Sequence, residues 1–246
     1  MPILKEILGI NPSIKIIAAP WTCPLWMKVK SLTDLTPLES WTNGQLNPAY
    51  YQDYATYFVK WVQAFKSEGF DIYAVTPQNE PLNRGNSASL YMSWEEQRDF
   101  VKTALGPQFK DAGLTTKIYA YDHNYDYSSI ESEKNYPGKI YEDGDASQYL
   151  AGAAYHNYGG DREELLNMHK AYPEKELLFT ETSIGTWNSG RDLSKRLLED
   201  MKEVALGTVN NWCKGVIVWN LMLDNDRAPN REGGCQTCYG AVDISN

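Results

Sequence analysis

Two glutamates stand where a run of strand-like residues gives way to a loop. Glu80 ends Ala74-Val75-Thr76-Pro77-Gln78-Asn79-Glu80 and is followed by Pro81, which cannot continue a hydrogen-bonded ladder. Glu181 ends Leu177-Leu178-Phe179-Thr180-Glu181. A lone carboxylate inside a sheet is costly, so both side chains belong at strand ends. At the mouth of one barrel both would project into a single cleft. Two carboxylates facing each other across a glycosidic bond are the apparatus of sugar hydrolysis: one protonates the leaving oxygen and the other attacks the anomeric carbon. The competing reading is structural, with each glutamate forming an ion pair or capping a helix.

The elements that must position these groups alternate along the chain. Short apolar runs occupy Ile14–Pro20, Ile72–Pro77, Ile118–Asp122, Gly152–Tyr158, Leu177–Thr182 and Gly215–Asn220. Several are nearly continuous in apolar residues, which suits parallel strands buried on both faces. Amphipathic segments lie between them. Asn47 can cap a helix with Pro48 in its first turn, and Gly69 can end it. Tyr54, Phe58, Trp61 and Phe65 recur there at helical spacing as a core stripe. Ser93 and Glu96 form a capping-box pattern for a helix that Gly106-Pro107 should stop, and Asp161 with Glu164 repeats that pattern before a helix in which His169 faces solvent. Leu193 to Val209 has the spacing of one more helix. The order predicts an α/β fold with a parallel sheet. No glycine-rich phosphate loop follows any strand, which favours a barrel, with its chemistry at the strand ends, over an open nucleotide-binding sheet.

Composition narrows the partners. The chain has 246 residues, a net charge of −9, 8 Trp and 17 Tyr. That negative field repels a phosphate backbone, so nucleic acid is excluded as a partner. Trp and Tyr pack cores, and their flat faces with polar tips also suit surfaces that bind sugars. No apolar run reaches the roughly 18 residues of a membrane span. The opening residues do not read as a secretory signal. Cys235 and Cys238 form a lone CxxC with no second pair or histidines to complete a zinc site, so no metal is expected; a local disulfide and free thiols both remain open. No motif calls for a cofactor.

At the strand ends the sequence resembles a known family. Asn79-Glu80-Pro81 after one strand, with a second glutamate ending a later one, is similar to the clan of (β/α)8-barrel glycosidases that carry acid/base and nucleophile on strands 4 and 7. The finer resemblance is to glycoside hydrolase family 30, the family of lysosomal glucosylceramidase and the endo-β-1,6-glucanases. It rests on Ala19-Pro20-Trp21-Thr22-Cys23-Pro24-Leu25-Trp26-Met27-Lys28, Thr76-Pro77-Gln78-Asn79-Glu80-Pro81, Tyr121-Asp122-His123-Asn124, Tyr155-His156-Asn157-Tyr158, Phe179-Thr180-Glu181-Thr182 and Val218-Trp219-Asn220-Leu221. The resemblance implies that Glu80 is the acid/base and Glu181 the nucleophile of a retaining reaction. It implies that Asn79 bonds the substrate 2-hydroxyl, that Trp21 and Trp219 line the sugar subsite, and that His156 and Tyr158 contact nucleophile or sugar. Asp122 and Asn230 join them as further substrate contacts. His156 also has a reading as a satisfied buried histidine. An ionised nucleophile should raise its neighbour, so Glu80 is expected to titrate above the free value of about 4.3.

Six strands are legible where an eight-stranded barrel is implied, and the motifs number them 3 to 8. The expectation is a single catalytic (β/α)8 TIM-barrel domain over 1–246, truncated at its N-terminus. It would lack strands 1 and 2, leave exposed barrel edges through which it could associate, and lack the family's flanking β-sandwich. The expected substrate is a β-linked glucan or glucoside, cleaved in the manner of endo-β-1,6-glucanases or glucosylceramidases. The Gly233-Gly234-Cys235-Gln236-Thr237-Cys238 loop resembles those groups more than the xylanase branch. A β-xylosidase or xylanase and a non-catalytic carbohydrate-binding fragment are the alternatives, and the expected location is extracellular.

Overall fold

The computed structural model describes residues 1–126, 129–187, 189–230 and 234–244. At its centre lies a six-stranded, all-parallel sheet in which strands neighbour one another in chain order. The strands are β1 (Ile16–Ala18), β2 (Ile72–Val75), β3 (Lys117–Asn124), β4 (Leu150–His156), β5 (Glu176–Glu181) and β6 (Cys213–Val216). Helix α1 (Pro2–Ile10) precedes them and is tied on by Lys5 to Glu68. The crossovers are α2 (Tyr51–Ser67), α3 (residues 94–111), α4 (Tyr136–Tyr141), α5 (Glu163–Ala171) and α6 (residues 193–209).

Each central strand is buried on both faces, as its apolar composition requires. Ala74, Tyr119, Ala154 and Leu178 form a small inner cluster. Their neighbours Val75, Ile118, Ala120, Ala153, Tyr155, Leu177 and Phe179 belong to the outer core under the helices. Period-two alternation therefore separates barrel interior from helix-packed exterior. Gly152 is required where β4 and β5 come together, because a Cβ there would lie 1.8 Å from the Glu176 carbonyl oxygen.

The sheet curls. Trp21 follows β1 at one edge and Trp219 follows β6 at the other, yet their ring centroids are 5.3 Å apart. Among the described residues β1 and β6 do not pair, so the mouth closes through side chains while the edges stay unpaired. This matches the expected gapped barrel. Apolar residues lie exposed along α6 and on either side of β6, among them Leu193, Leu198, Trp212 and Val218.

The local signals hold except at four places. Asn47 Oδ1 accepts from Ala49 N, Gly69 closes α2 at φ 92°, and the Ser93/Glu96 capping box is complete. However, Gly106-Pro107 does not stop α3. A π-helical turn (Val101–Leu105) lets the axis continue into Gly106–Asp111, and Gly106 gives room to the Tyr149 ring. Asp161 does not cap α5 through a box: its Oδ1 accepts from Glu163 N, and Arg162 is the N-cap. The last strand is Cys213–Val216 rather than Gly215–Asn220, because 217–220 run beside β5 with only spaced bonds, Ile217 N to Phe179 O and Trp219 N to Thr182 O. His169 is not simply solvated but stacks on Trp212 at 4.0 Å.

At the amino end of the sheet a polar cluster fills the interior. Glu176 Oε2 accepts from Lys117 and from the Tyr119 hydroxyl, and Oε1 accepts from Lys214 at 2.6 Å. Burial acts to raise the Glu176 pKa, but these donors outweigh it and bring it down to about 2. A depressed carboxylate contributes stability that is present above its unfolded pKa and lost as pH falls through the folded one. Glu176→Gln should therefore cost on the order of 2 kcal/mol at neutral pH, with the difference fading between about pH 4 and pH 2. Urea titrations of both proteins across that range check this; equal midpoints at pH 7 would refute it.

Candidate active site

The carboxyl ends of the strands surround a cleft of about 580 Å³. Its walls include Trp21, Glu80, Tyr158, Glu181, Trp219 and Asn230. All six were singled out in the sequence. Sequence reasoning missed Asn86, Ser87, Ser183, Trp187 and Arg227, which also line it. These come from loops with no periodicity, and only Trp187 carried a compositional hint.

The two glutamates converge. One oxygen of each carboxylate and one ring nitrogen of His156 lie within 4.8 Å of one another. Glu80 takes a left-handed backbone conformation at φ 45°, which a non-glycine residue adopts only when its surroundings hold it there. Glu80 N donates to Asp122 O, and Glu80 O accepts from Asn83 N. Pro81 then turns the chain away, so the side chain enters the cleft. Glu181 ends β5 and accepts from the Tyr158 hydroxyl at 2.9 Å. Tyr158 also reaches Ser183 Oγ at 3.1 Å.

His156 and Asp122 sit behind Glu80, not on the cleft surface. Both are buried, at 0% and 1% exposure, and the alternative reading of His156 as a satisfied buried histidine matches its bonds to two carboxylates. His156 Nε2 is 3.1 Å from Asp122 Oδ1, and Nδ1 is 3.4 Å from Glu80 Oε1. Asp122 also accepts from Thr76 Oγ1 at 2.7 Å and Thr180 Oγ1 at 2.5 Å. A bulge in β3 makes this possible. Tyr121 and Asp122 are both left-handed, at φ 74° and 66°, and the pairing with β4 slips between Tyr121 and His123. Strict alternation from Tyr119 would turn Tyr121 inward. The bulge leaves Tyr121 in the outer core and presents Asp122 to His156.

Asn79 is nearly buried beside Glu80, and its Nδ2 has no hydrogen-bond partner among the described residues. A buried donor left open in this way is suited to a ligand oxygen. Cys235 and Cys238 are joined by a disulfide, and both line the cleft. Gly233, expected in the same loop, lies outside the described residues.

The electrostatics reverse the sequence expectation. Burial opposes charge on His156, but its bonds to Asp122 and Glu80 prevail and raise it to about 10. His123, which accepts from Leu82 N at 3.4 Å, is lowered to about 4 by burial, against the pull of the Glu80 and Asp122 charges. Burial acts to raise Glu80, yet the His156 bond, the nearby imidazoles and Asn83 bring its pKa below the ordinary carboxylate value. Glu181 is raised to about 7, by burial first and by the Glu80 charge, with His156 opposing. Sequence alone counted two carboxylates and not the imidazolium behind one of them.

A family model described as the glycosyl hydrolase family 30 TIM-barrel domain matches residues 1–236. The chain is 34% identical to endo-1,6-beta-D-glucanase BGN16.3 of Trichoderma harzianum, over 99% of this chain and 48% of that protein. It is 33% identical to the endo-1,6-beta-D-glucanase of Neurospora crassa, over 98% and 48%. It is 88% identical to the solved structure of the endo-beta1,6-glucanase BT3312, with a TM-score of 0.98, over 99% of this chain and 54% of that one. The chain thus spans about half the length of the relatives it matches. With the matched residues taking in all six strands of the parallel sheet and both glutamates, the chain belongs to glycosyl hydrolase family 30.

Proposed function

We propose that this chain is a catalytic barrel domain of a retaining endo-β-1,6-glucanase, in which Glu181 is the nucleophile and Glu80 the general acid/base. The observation that carries the reading is the approach of the two carboxylates, with oxygens within 4.8 Å. Retention needs carboxyl groups roughly 5–5.5 Å apart, whereas inversion needs about 6.5–9.5 Å to admit a water. The β-1,6 linkage rests on likeness to relatives named for that activity.

In this reading the ring faces of Trp21 and Trp219 hold the sugar whose anomeric carbon reacts, and the open Asn79 amide meets its 2-hydroxyl. Asn230 supplies a polar group to the cleft wall. Glu181 attacks the anomeric carbon while Glu80 passes a proton to the departing oxygen. Tyr158 donates to Glu181 and keeps the attacking oxygen aimed. Glu80 then takes a proton from the water that hydrolyses the glycosyl-enzyme. The Cys235–Cys238 disulfide supports an oxidising, extracellular location.

The intact enzyme should cleave the β-1,6-glucan pustulan and leave aryl β-xylosides and glucosylceramide nearly untouched. A preference for either of the latter, or binding of oligosaccharide with no turnover, would sink the proposal. Glu181→Gln should lower turnover of every substrate by about three orders of magnitude or more. Glu80→Ala should spare the first step on substrates with good leaving groups, and azide should restore the second step and yield a β-glycosyl azide. An α-azide, or no rescue, would remove Glu80 from the role.

The pH profile follows from the pair as a unit. Productive chemistry needs one proton shared between Glu80 and Glu181. That proton is lost as pH rises through about 7, the raised value of Glu181. At low pH the second proton arrives and neutralises the nucleophile. The kcat/KM profile should therefore be a bell with its alkaline limb near that value; a rate still climbing through about pH 9 contradicts it.

A further inference from the structure

Lys28 has no exposed surface, although its side chain ends in an ammonium group. A buried charge is costly unless its bonding capacity is filled. Lysine has three N–H donors and no acceptor. All three are used: Nζ donates to Thr22 Oγ1 at 3.0 Å, to the Ser40 carbonyl at 2.8 Å and to the Ser89 carbonyl at 2.9 Å. The acceptors are neutral and come from separate stretches of chain. Thr22 follows Trp21 beyond β1, and Ser89 lies in the loop that follows Glu80. Ser40 lies in a loop of the small antiparallel sheet formed by Lys28–Ser31, Asp34–Pro37 and Gln45–Leu46. Burial pulls the Lys28 pKa down to about 8, so the ammonium keeps its charge at neutral and acidic pH.

The Ser89 contact leads to Glu80. Ser89 Oγ donates to the Arg84 carbonyl at 2.9 Å and accepts from Asn43 N at 2.8 Å, and Ser89 N donates to the Trp41 carbonyl. The 84–89 loop is thereby closed on itself and tied to residues 40–43. Within it, Asn86 Nδ2 donates to Glu80 Oε2 at 2.8 Å, and both Asn86 and Ser87 line the cleft. Asn83 Nδ2 donates to the same oxygen, but Asn83 belongs to the turn that Glu80 itself makes, through Asn83 N to Glu80 O. Asn86 is the donor whose place depends on the loop.

Resting on the glucanase reading, we propose that Lys28 is a positioning residue for the acid/base: its ammonium pins the 84–89 loop to the segment that follows β1, and the loop in turn holds the Asn86 amide on Glu80 Oε2. Without the ammonium, two carbonyls and a hydroxyl lose their donor inside the protein. The segments around it then part, and the Asn86 amide shifts from Oε2. The Glu80 carboxyl group loses the aim that proton transfer to a leaving oxygen requires. Glu181 is aimed separately, by the Tyr158 hydroxyl from beyond β4. Loss of Lys28 should therefore fall on substrates whose leaving group needs a proton and spare those whose leaving group does not.

The test compares two substrates of the intact enzyme. A β-1,6-linked glucotetraose has a leaving sugar that must be protonated, and a dinitrophenyl β-gentiobioside has a phenolate that leaves unaided. Lys28→Met keeps a side chain of similar length and removes all three donors. It should lower kcat/KM on the tetraose by about tenfold or more and on the aryl glycoside by less than about threefold. Lys28→Gln, which keeps two N–H donors on a shorter stem, should show the same selective loss to a smaller degree, and it serves if the methionine variant does not fold. Asn86→Ala should reproduce the pattern, and adding it to Lys28→Met should cost no more than the worse single change, because the two act through one contact. No loss, equal losses on both substrates, or losses that multiply in the double variant would overturn the inference and leave Lys28 a purely structural residue. The wild type separates the two failures: if it cuts the tetraose while the variants show no selective loss, this inference alone fails, and if it leaves the tetraose uncut, the glucanase reading fails and this inference with it.

Discussion

A protonated imidazole held between two buried carboxylates governs the cleft. His156 has no exposed surface, and a charge there survives only because Asp122 and Glu80 lie on either side. The positive centre favours negative charge on Glu80, while burial and the Glu80 charge raise Glu181. Asp122 is in turn held by two threonine hydroxyls from β5 and the end of β2. Four adjacent strands therefore contribute to one electrostatic arrangement, and each must be in register for it to exist.

That requirement accounts for the irregular backbone near the site. Regular strands would alternate every side chain between interior and exterior. The β3 bulge breaks the alternation at Tyr121 and Asp122, and the left-handed Glu80 redirects the chain after β2. Such conformations are unfavourable for residues with a Cβ, and tight local bonding holds them. Glu80 is bonded through its backbone N–H, its carbonyl and both carboxylate oxygens. The rest of the sheet is plain, its residues alternating between an inner cluster and an outer core under the helices.

Much of this was legible in the sequence because the signals are local. Apolar runs marked all six strands, and Glu80 and Glu181 announced themselves as carboxylates ending strands of buried residues. Trp21, Tyr158, Trp219 and Asn230 also stand in the cleft. What sequence missed depends on contacts between distant segments. Nothing in Leu82-Asn83-Arg84-Gly85-Asn86 says that two of its amides turn back onto one carboxylate oxygen. The burial of Asp122 and His156 behind Glu80 depends on a bulge whose two residues are ordinary in composition. Gly106-Pro107 read as a stop because propensity rules take no account of a π turn that passes a helix through such a pair.

The contact between Trp21 and Trp219 couples the sugar subsite to the shape of the whole sheet. The two indoles hang from opposite edges of six strands, so five strand-to-strand interfaces lie between them. A small change in twist at any interface adds to those at the others before it reaches the rings. The gap between the tryptophans behaves like the tips of calipers hinged through the barrel, and a substitution deep in the sheet, far from any sugar, would be felt as a change in the width of the jaws.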